Sequence, residues 1–209
     1  MTLASEEEAR AFCAGLTDAA GTARLERLAG MVIEENSRQN LVAKASEASI
    51  WLRHLADSAQ LLGHVTGDAV PWLDLGTGAG FPGLVIAAMR PGLRVVLVES
   101  RKKRVDWLVR AASELGLENC RVEGRRLEHV ESFAAAVISA RAFAPLGRLL
   151  ALSAPFSTQD TLWLLPKGRS AVQELASLPR GMARMFHVEQ SATDGEAGIV
   201  IGTGRPVSA

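Results

Sequence analysis

The segment Asp74-Leu75-Gly76-Thr77-Gly78-Ala79-Gly80-Phe81-Pro82-Gly83 carries the strongest chemical signal in the chain. Glycines turn the backbone tightly and let a ligand reach main-chain atoms that a Cβ would cover. The N–H groups of a helix that begins just after such a loop can receive a carboxylate or a phosphate. Gly78 through Gly83 fit G-x-G-x-x-G formally, and that match alone admits a dinucleotide. Asp74 points elsewhere. Its carboxylate makes a pyrophosphate costly to seat nearby and suits a ligand that carries an ammonium and a sulfonium. Glu99 lies 25 residues after Asp74, at the end of a second apolar run, where it can accept both hydroxyls of a ribose. It would do so for either cofactor class, so it argues for a nucleoside without choosing one.

Other residues could do chemistry around this loop. Arg53 and Asp57 stand four apart and can pair on one helix face, and His54 and Ser58 share a face in the same way. Arg141 follows a strand, at the edge where open α/β sheets bind ligands. Lys167 sits between Pro166 and Gly168, just past a fifth strand, in what reads as a shaped loop. Asn40 serves a turn or a site, and Phe143 stacks on a base or joins the core. Arg101, Lys102, Lys103 and Arg104 crowd positive charge at the unfavourable end of a helix dipole, which favours an anionic partner. The chain has no Ser-His-Asp order, no H-E-x-x-H and no Cys/His cluster, so a hydrolase is disfavoured and no metal is implied.

These side chains need a scaffold, and the apolar patterning predicts one. Residues 5–65 read as helical: Ser5 with Glu6–Glu8 starts a helix, Leu25, Leu28, Val32 and Ile33 recur at helical spacing, and a stretch from Ser46 to His64 forms a second helix capped by Ser46. Asn36–Lys44 between them reads as polar and irregular, and Thr66-Gly67-Asp68 closes the helical region. From Val70 the pattern changes. Strands are expected at Val70–Leu75, Arg94–Glu99, Asn119–Glu123, Ala135–Ser139 and Thr161–Leu165, alternating with helices at Leu84–Arg90, Lys102–Leu115, Leu146–Leu152 and Ala171–Ala176. Gly116 is placed to stop the second of those helices. Ala183–Val188 and Gly198–Gly202 close the fold as a hairpin through the link Ala192–Gly195. Alternating strands and helices argue for a doubly wound parallel sheet.

Composition bounds the rest. A chain of 209 residues with 48% hydrophobic and 22% charged side chains is an ordinary globular protein. Even an apolar run such as Phe133–Ile138, which none exceeds, is far short of the ~20 residues that span a bilayer. The acidic start MTLASEEEAR is unlike a secretory leader, and Cys13 and Cys120 cannot build a disulfide framework, so a reducing cytoplasm is expected. Formal net charge is zero, but residues 1–70 carry 6 basic against 10 acidic side chains while residues 90–148 carry 12 against 7. That second segment could face an anionic polymer.

Taken together and in order, Asn40-Leu41-Val42, Arg53-His54-Leu55-Ala56-Asp57-Ser58, DLGTGAGFPGLVIA, VESRKKRVDWL, Ile138 to Phe143 and Pro166-Lys167-Gly168 resemble the RsmG (GidB) family of 16S ribosomal RNA methyltransferases. The resemblance covers about residues 25–170. It implies a class I S-adenosylmethionine-dependent methyltransferase fold, Rossmann-like with a seven-stranded mostly parallel sheet, over residues 67–209, with an N-terminal helical extension over 1–66. It implies methylation of guanine N7 near the decoding region, with 16S rRNA or the small ribosomal subunit as partner, no membrane, no metal and a monomeric state. By the resemblance, Asp74, Gly76, Gly78, Phe81, Glu99, Arg126, Leu127 and Arg141 contact the cofactor, with Glu128 the alternative if one arginine is inserted. Asn40, Arg53, His54, Asp57 and Lys167 line the RNA side, and Arg141 and Lys167 position the base, Lys167 through a phosphate or guanine O6. Three rivals stay open: a class I methyltransferase for a small molecule, a nicotinamide-dependent oxidoreductase, and an RNA-binding module with a relic loop.

Overall fold

The computed structural model describes residues 2–67 and 71–206. Seven strands form one sheet in the order β3-β2-β1-β4-β5-β7-β6. They are β1 (Trp72–Leu75), β2 (Val95–Val98), β3 (Cys120–Glu123), β4 (Val137–Ala140), β5 (Leu162–Gly168), β6 (Phe186–Gln190) and β7 (Gly198–Thr203). β1 to β5 run parallel; β7 pairs antiparallel with both β5 and β6. The strand order reverses between β1 and β4, and such a switch point opens a crevice at the carboxyl ends of the strands. The expected start of β1 at Val70 and the turn residue Asp68 lie outside the described residues.

The central strands are buried on both faces, and this is why they read as continuous apolar runs. One face packs α4 (Gly83–Met89) and α5 (Lys102–Glu114) together with α1 (Glu6–Gly15) and α2 (Ala19–Gln39), through Leu25, Leu28, Leu84, Ile86, Trp107 and Leu108. The other packs α6 (Leu146–Ser153) and α7 (Ala171–Ala176) through Leu149, Leu150, Trp163 and Phe186. The N-terminal helices thus share a core with α4 and α5 rather than forming one of their own. α1 starts at Ser5, whose hydroxyl accepts the Glu8 N–H, and Asp18 caps α2 through the Gly21 N–H.

Several expectations shift. α2 runs on to Gln39, because Asn40 accepts a left-handed conformation (φ 39°) and ends it. Ile33 is 41% exposed, outside the buried stripe of Leu25, Leu28 and Val32. The stretch Lys44–His64 is not one regular helix: it is 3₁₀ over Lys44–Ser49, π-helical over Trp51–Ala56, a short α3 over Asp57–Ala59, and 3₁₀ again over Gln60–His64. Its cap comes from far away, since Glu6 accepts the N–H groups of Trp51 and Leu52, and Ser46 caps nothing. Antiparallel pairing with β7 carries β5 on through Gly168, which places Lys167 inside the strand. A short helix, α8 (Arg180–Ala183), precedes β6, so that strand begins at Phe186 rather than Ala183.

Candidate functional site

The glycine loop sits in the crevice. Gly76, Gly78 and Gly80 hold φ of 59°, 58° and 103°, conformations that L side chains rarely adopt. A Cβ on Gly83 would overlap Leu97 and press on Asp74, so the start of α4 can lie flat on β1 only without one. Asp74 itself is fully buried beneath the loop. Its Oδ2 accepts the Gly83 N–H (3.0 Å) and its Oδ1 the Ser139 hydroxyl (2.7 Å), which in turn accepts the Trp72 indole N–H (2.8 Å). Burial lifts its pKa to about 6, against those hydrogen bonds, which favour the charged form. Asp74 therefore ties β1, β4 and α4 together and does not line the cavity above, contrary to the expected cofactor contact.

That cavity, about 640 Å³, is lined by Gly76, Thr77, Gly78, Phe81 and Glu99, and by Arg126, Leu127 and Glu128 from the turn after β3. Glu99 is nearly buried. Its Oε1 accepts the N–H groups of Ser100 (2.7 Å) and Arg101 (2.9 Å), and its Oε2 that of Gly78 (3.1 Å). A carboxylate offers about four acceptor positions. Three are filled, so Glu99 has room for one ribose hydroxyl, not the two expected. Thr77 Oγ1 is buried here too. It lies near enough to Asp74 to lower that carboxyl's pKa, yet it has the geometry of a hydrogen bond with no group. Open glycine backbone and a spare carboxylate position fit a polar nucleoside.

A second cavity of about 1110 Å³ adjoins the first, and the segment Arg141 to Pro145 lines both. Within that wall Ala142 is held at φ 54°, a strained conformation for alanine. The half-buried Phe143 ring covers Gly76, where a Cβ would strike it. Arg141 donates through Nη1 to Asp57 Oδ2 (3.2 Å) and the Arg53 carbonyl (3.3 Å), and through Nη2 to His54 Nδ1 (3.0 Å). Burial first, then Arg141 and Arg53, push the His54 pKa down to about 3. The imidazole is neutral, and the network assigns its proton to Nε2, which donates to Ser46 Oγ (2.9 Å), which donates to the Ala43 carbonyl. The His54 ring stacks on Phe81 with centroids 5.2 Å apart, and the Arg141 guanidinium carbon lies 5.2 Å from the same ring.

The expected Arg53–Asp57 pair does not form. Asp57 faces inward, where the shielded Arg141 is the stronger partner, and the exposed Arg53 reaches Asp194 in the β6–β7 turn (3.2 Å). Sequence reasoning missed the residues that fix Asp57 from the other side: its Oδ1 accepts Thr193 Oγ1 (3.0 Å) and Gln60 Nε2 (2.9 Å). The turn-rich Ala192–Gly195 link was the available signal. Lys167 is nearly buried; its ammonium donates to the Ala144 carbonyl (2.6 Å) and meets Glu174 (3.0 Å), which also accepts the Leu146 N–H. It lines the second cavity with its charge already matched. Asn40 stands apart, lining neither cavity, and offers its carbonyl to Arg104 Nη2 (2.8 Å). Among the described residues no group of three His, Cys, Asp or Glu could hold a metal, and no helix is long and apolar enough to cross a membrane.

Comparison with known proteins places this architecture. Residues 22–197 match the GidB family, described as rRNA small subunit methyltransferase G. The chain belongs to that family. The ribosomal RNA small subunit methyltransferase G of Erythrobacter litoralis is 59% identical over 203 residues, 97% of this chain and 98% of that protein. The protein of the same name from Novosphingobium aromaticivorans is 56% identical, over 97% of this chain and 90% of its own. Among solved structures, an S-adenosylmethionine-dependent methyltransferase from Aquifex aeolicus superposes with a TM-score of 0.57 at 14% identity, covering 77% of this chain and 94% of that one. A variant of MtNAS in complex with S-adenosylmethionine gives 0.56 at 16% identity over 96% of this chain and 78% of its own. At those identities the likeness is one of fold, and it confirms the class I methyltransferase architecture. The family match leaves the nicotinamide-dependent reading without support.

Proposed function

We propose that the protein transfers the methyl group of S-adenosylmethionine to N7 of a guanine in 16S ribosomal RNA, acting as a cytoplasmic monomer on the rRNA or the small subunit. The glycine-loop cavity takes the cofactor and the adjoining cavity takes the base. The bound cofactor supplies an electrophilic methyl on a cationic sulfur. Guanine N7 offers a lone pair and no proton, so the acceptor requires no general base.

The observation that carries this reading is the state of the second cavity. Arg53, Arg141, Lys167 and Arg169 line it, and each is paired, with Asp194, Asp57, Glu174 and Glu196 in turn. His54 is neutral and both its ring nitrogens are engaged. The lining thus offers no free base and no unmatched cation. Such a cavity suits an acceptor that keeps its protons and leaves as a cationic ring. It serves a proton-losing hydroxyl or amine acceptor poorly. What the protein contributes is placement: Arg141, fixed by Asp57 and His54, stands in the wall between donor and acceptor. Lys167 and Glu174 brace that wall at Ala144 and Leu146. Orientation of this kind can remove about 7–11 kcal/mol from a barrier.

The test is to map N7-methylguanine in 16S rRNA from cells lacking the gene, before and after restoring it. One modified guanine should disappear and return. Persistence of every N7-methylguanine in the deletion strain overturns the reading, and a small-molecule substrate becomes the better one.

A further inference from the structure

The two cavities differ in where their positive charge is matched. Around the cofactor cavity stand Arg101, Arg104, Arg125, Arg126, Arg141 and Arg148, against Glu99 and Glu128. Three of the six have partners within the protein: Arg104 donates to the carbonyls of Asn40 and Leu41, Arg125 pairs with Glu123, and Arg141 with Asp57. Arg101, Arg126 and Arg148 are exposed and, among the described residues, belong to none of the ion pairs. They come from three successive crossovers: Arg101 just ahead of α5, Arg126 ahead of the Leu127–His129 turn, and Arg148 on α6. They therefore reach the cavity lining from three separate segments of the chain.

The cofactor does not account for them. It carries one carboxylate, and its ammonium and sulfonium are themselves cationic, so three unmatched arginines exceed what it can neutralise. They also cost the fold: Arg101 stands beside Lys102, Lys103 and Arg104, at the end of α5 where a helix dipole opposes positive charge. A polyanion lying over the opening would repay that cost. The base cavity, with its cations matched internally, has little phosphate affinity of its own, whereas backbone phosphates supply most of the affinity in nucleic-acid binding.

We propose that the phosphate backbone of the RNA substrate crosses the mouth of the cofactor cavity on Arg101, Arg126 and Arg148, so that bound RNA shuts the cofactor in. This rests on the methyl-transfer reading above and adds an order to it: cofactor enters first, and product cofactor leaves after the RNA. A base entering the second cavity brings its flanking phosphates to the shared wall, beside this opening.

The experiment measures release of S-adenosylhomocysteine from the full-length protein by chase, with and without small ribosomal subunits purified from a strain lacking the gene. Subunits should slow release by about tenfold or more at low salt, and the effect should fade as salt rises. The triple variant Arg101→Ala, Arg126→Ala, Arg148→Ala should bring the ratio of the two rates close to one. It should also lower the salt dependence of subunit binding by about two log–log units, roughly 0.7 for each lost phosphate contact on a single strand. Arg148→Ala alone should lose part of the effect and Arg148→Lys should regain most of it. Arg27→Ala, which removes an equal charge from the distant surface of α2, should keep the wild-type ratio. Unchanged release in the presence of subunits that the enzyme does methylate overturns the proposal and leaves the methyl-transfer reading standing. So does a triple variant that retains the wild-type ratio. Failure to bind S-adenosylhomocysteine, or to methylate the subunits at all, strikes the methyl-transfer reading instead.

Discussion

Replacing Glu99 with alanine tests the cofactor cavity most directly. Its carboxylate already accepts three backbone N–H groups and has one acceptor position left. One hydrogen bond to a charged group is worth about 1.5–3 kcal/mol, so Glu99→Ala should weaken S-adenosylhomocysteine binding by about 10- to 150-fold, at 1.4 kcal/mol per decade. Two ribose bonds would double the energy and bring the loss to about 150-fold or far beyond. The same change strips the acceptor from Ser100 and Arg101 at the start of α5, a loss of about 0.5–2 kcal/mol of stability on the scale of helix caps. Isothermal titration gives the affinity, and a thermal melt of the same sample verifies that the variant is folded. An affinity unchanged within twofold in a folded variant removes Glu99 from the cofactor. A loss beyond about a thousandfold shows that both ribose hydroxyls rest on it, which requires the Gly78 bond to give way when cofactor binds.

Two further predictions concern pH and the wall. The unfolded chain protonates His54 near pH 6.5 whereas the folded protein resists until about 3, so stability is lost as pH falls through that window; Asp74 runs the other way, its folded pKa of about 6 against 3.8 making stability fall as pH rises between those values. Melting curves from pH 4 to 8 should therefore show His54→Gln gaining on the wild type as pH falls and Asp74→Asn gaining as pH rises; curves that stay parallel to the wild type refute both assignments. Lys167→Met should lower stability by about 1–3 kcal/mol, since it leaves Glu174 and the Ala144 carbonyl short of a donor. It should spare cofactor affinity and depress methyl transfer, and the opposite pattern would assign Lys167 to the cofactor.

The parts of this site that the sequence disclosed are those that rest on local rules. Glycine spacing located the loop, the apolar runs located the parallel strands, and Gly116 at φ 63° marks the end of α5. What stayed hidden depends on contacts between distant segments. Glu6 caps Trp51, 45 residues away, and the helix that Ser46 was expected to begin is remade around that contact. Asp57 passes over its i,i+4 neighbour for Arg141, 84 positions on, because both side chains are shielded from water there. Asp74 looked like a ligand contact by type and position. Only the structure shows it fully buried beneath the loop, bonded to Ser139 and Gly83. Thr193 and Asp194 sit in a turn that the sequence marked as a connection, yet they anchor two side chains of the base cavity.

The π-helical stretch Trp51–Ala56 has a consequence of its own. Wide turns of this kind can be viewed as an α-helix with one residue too many. Removing a residue such as Leu52 would let the segment relax to ordinary winding with its flanks in place, but the residues inside the stretch would shift by one position, about 100° about the axis. Arg53 and His54 would then leave the cavity even though every side chain that lines it were still present. Its architecture is written as much in the counting of residues as in their chemistry, and a single-codon deletion there would be more damaging than most substitutions.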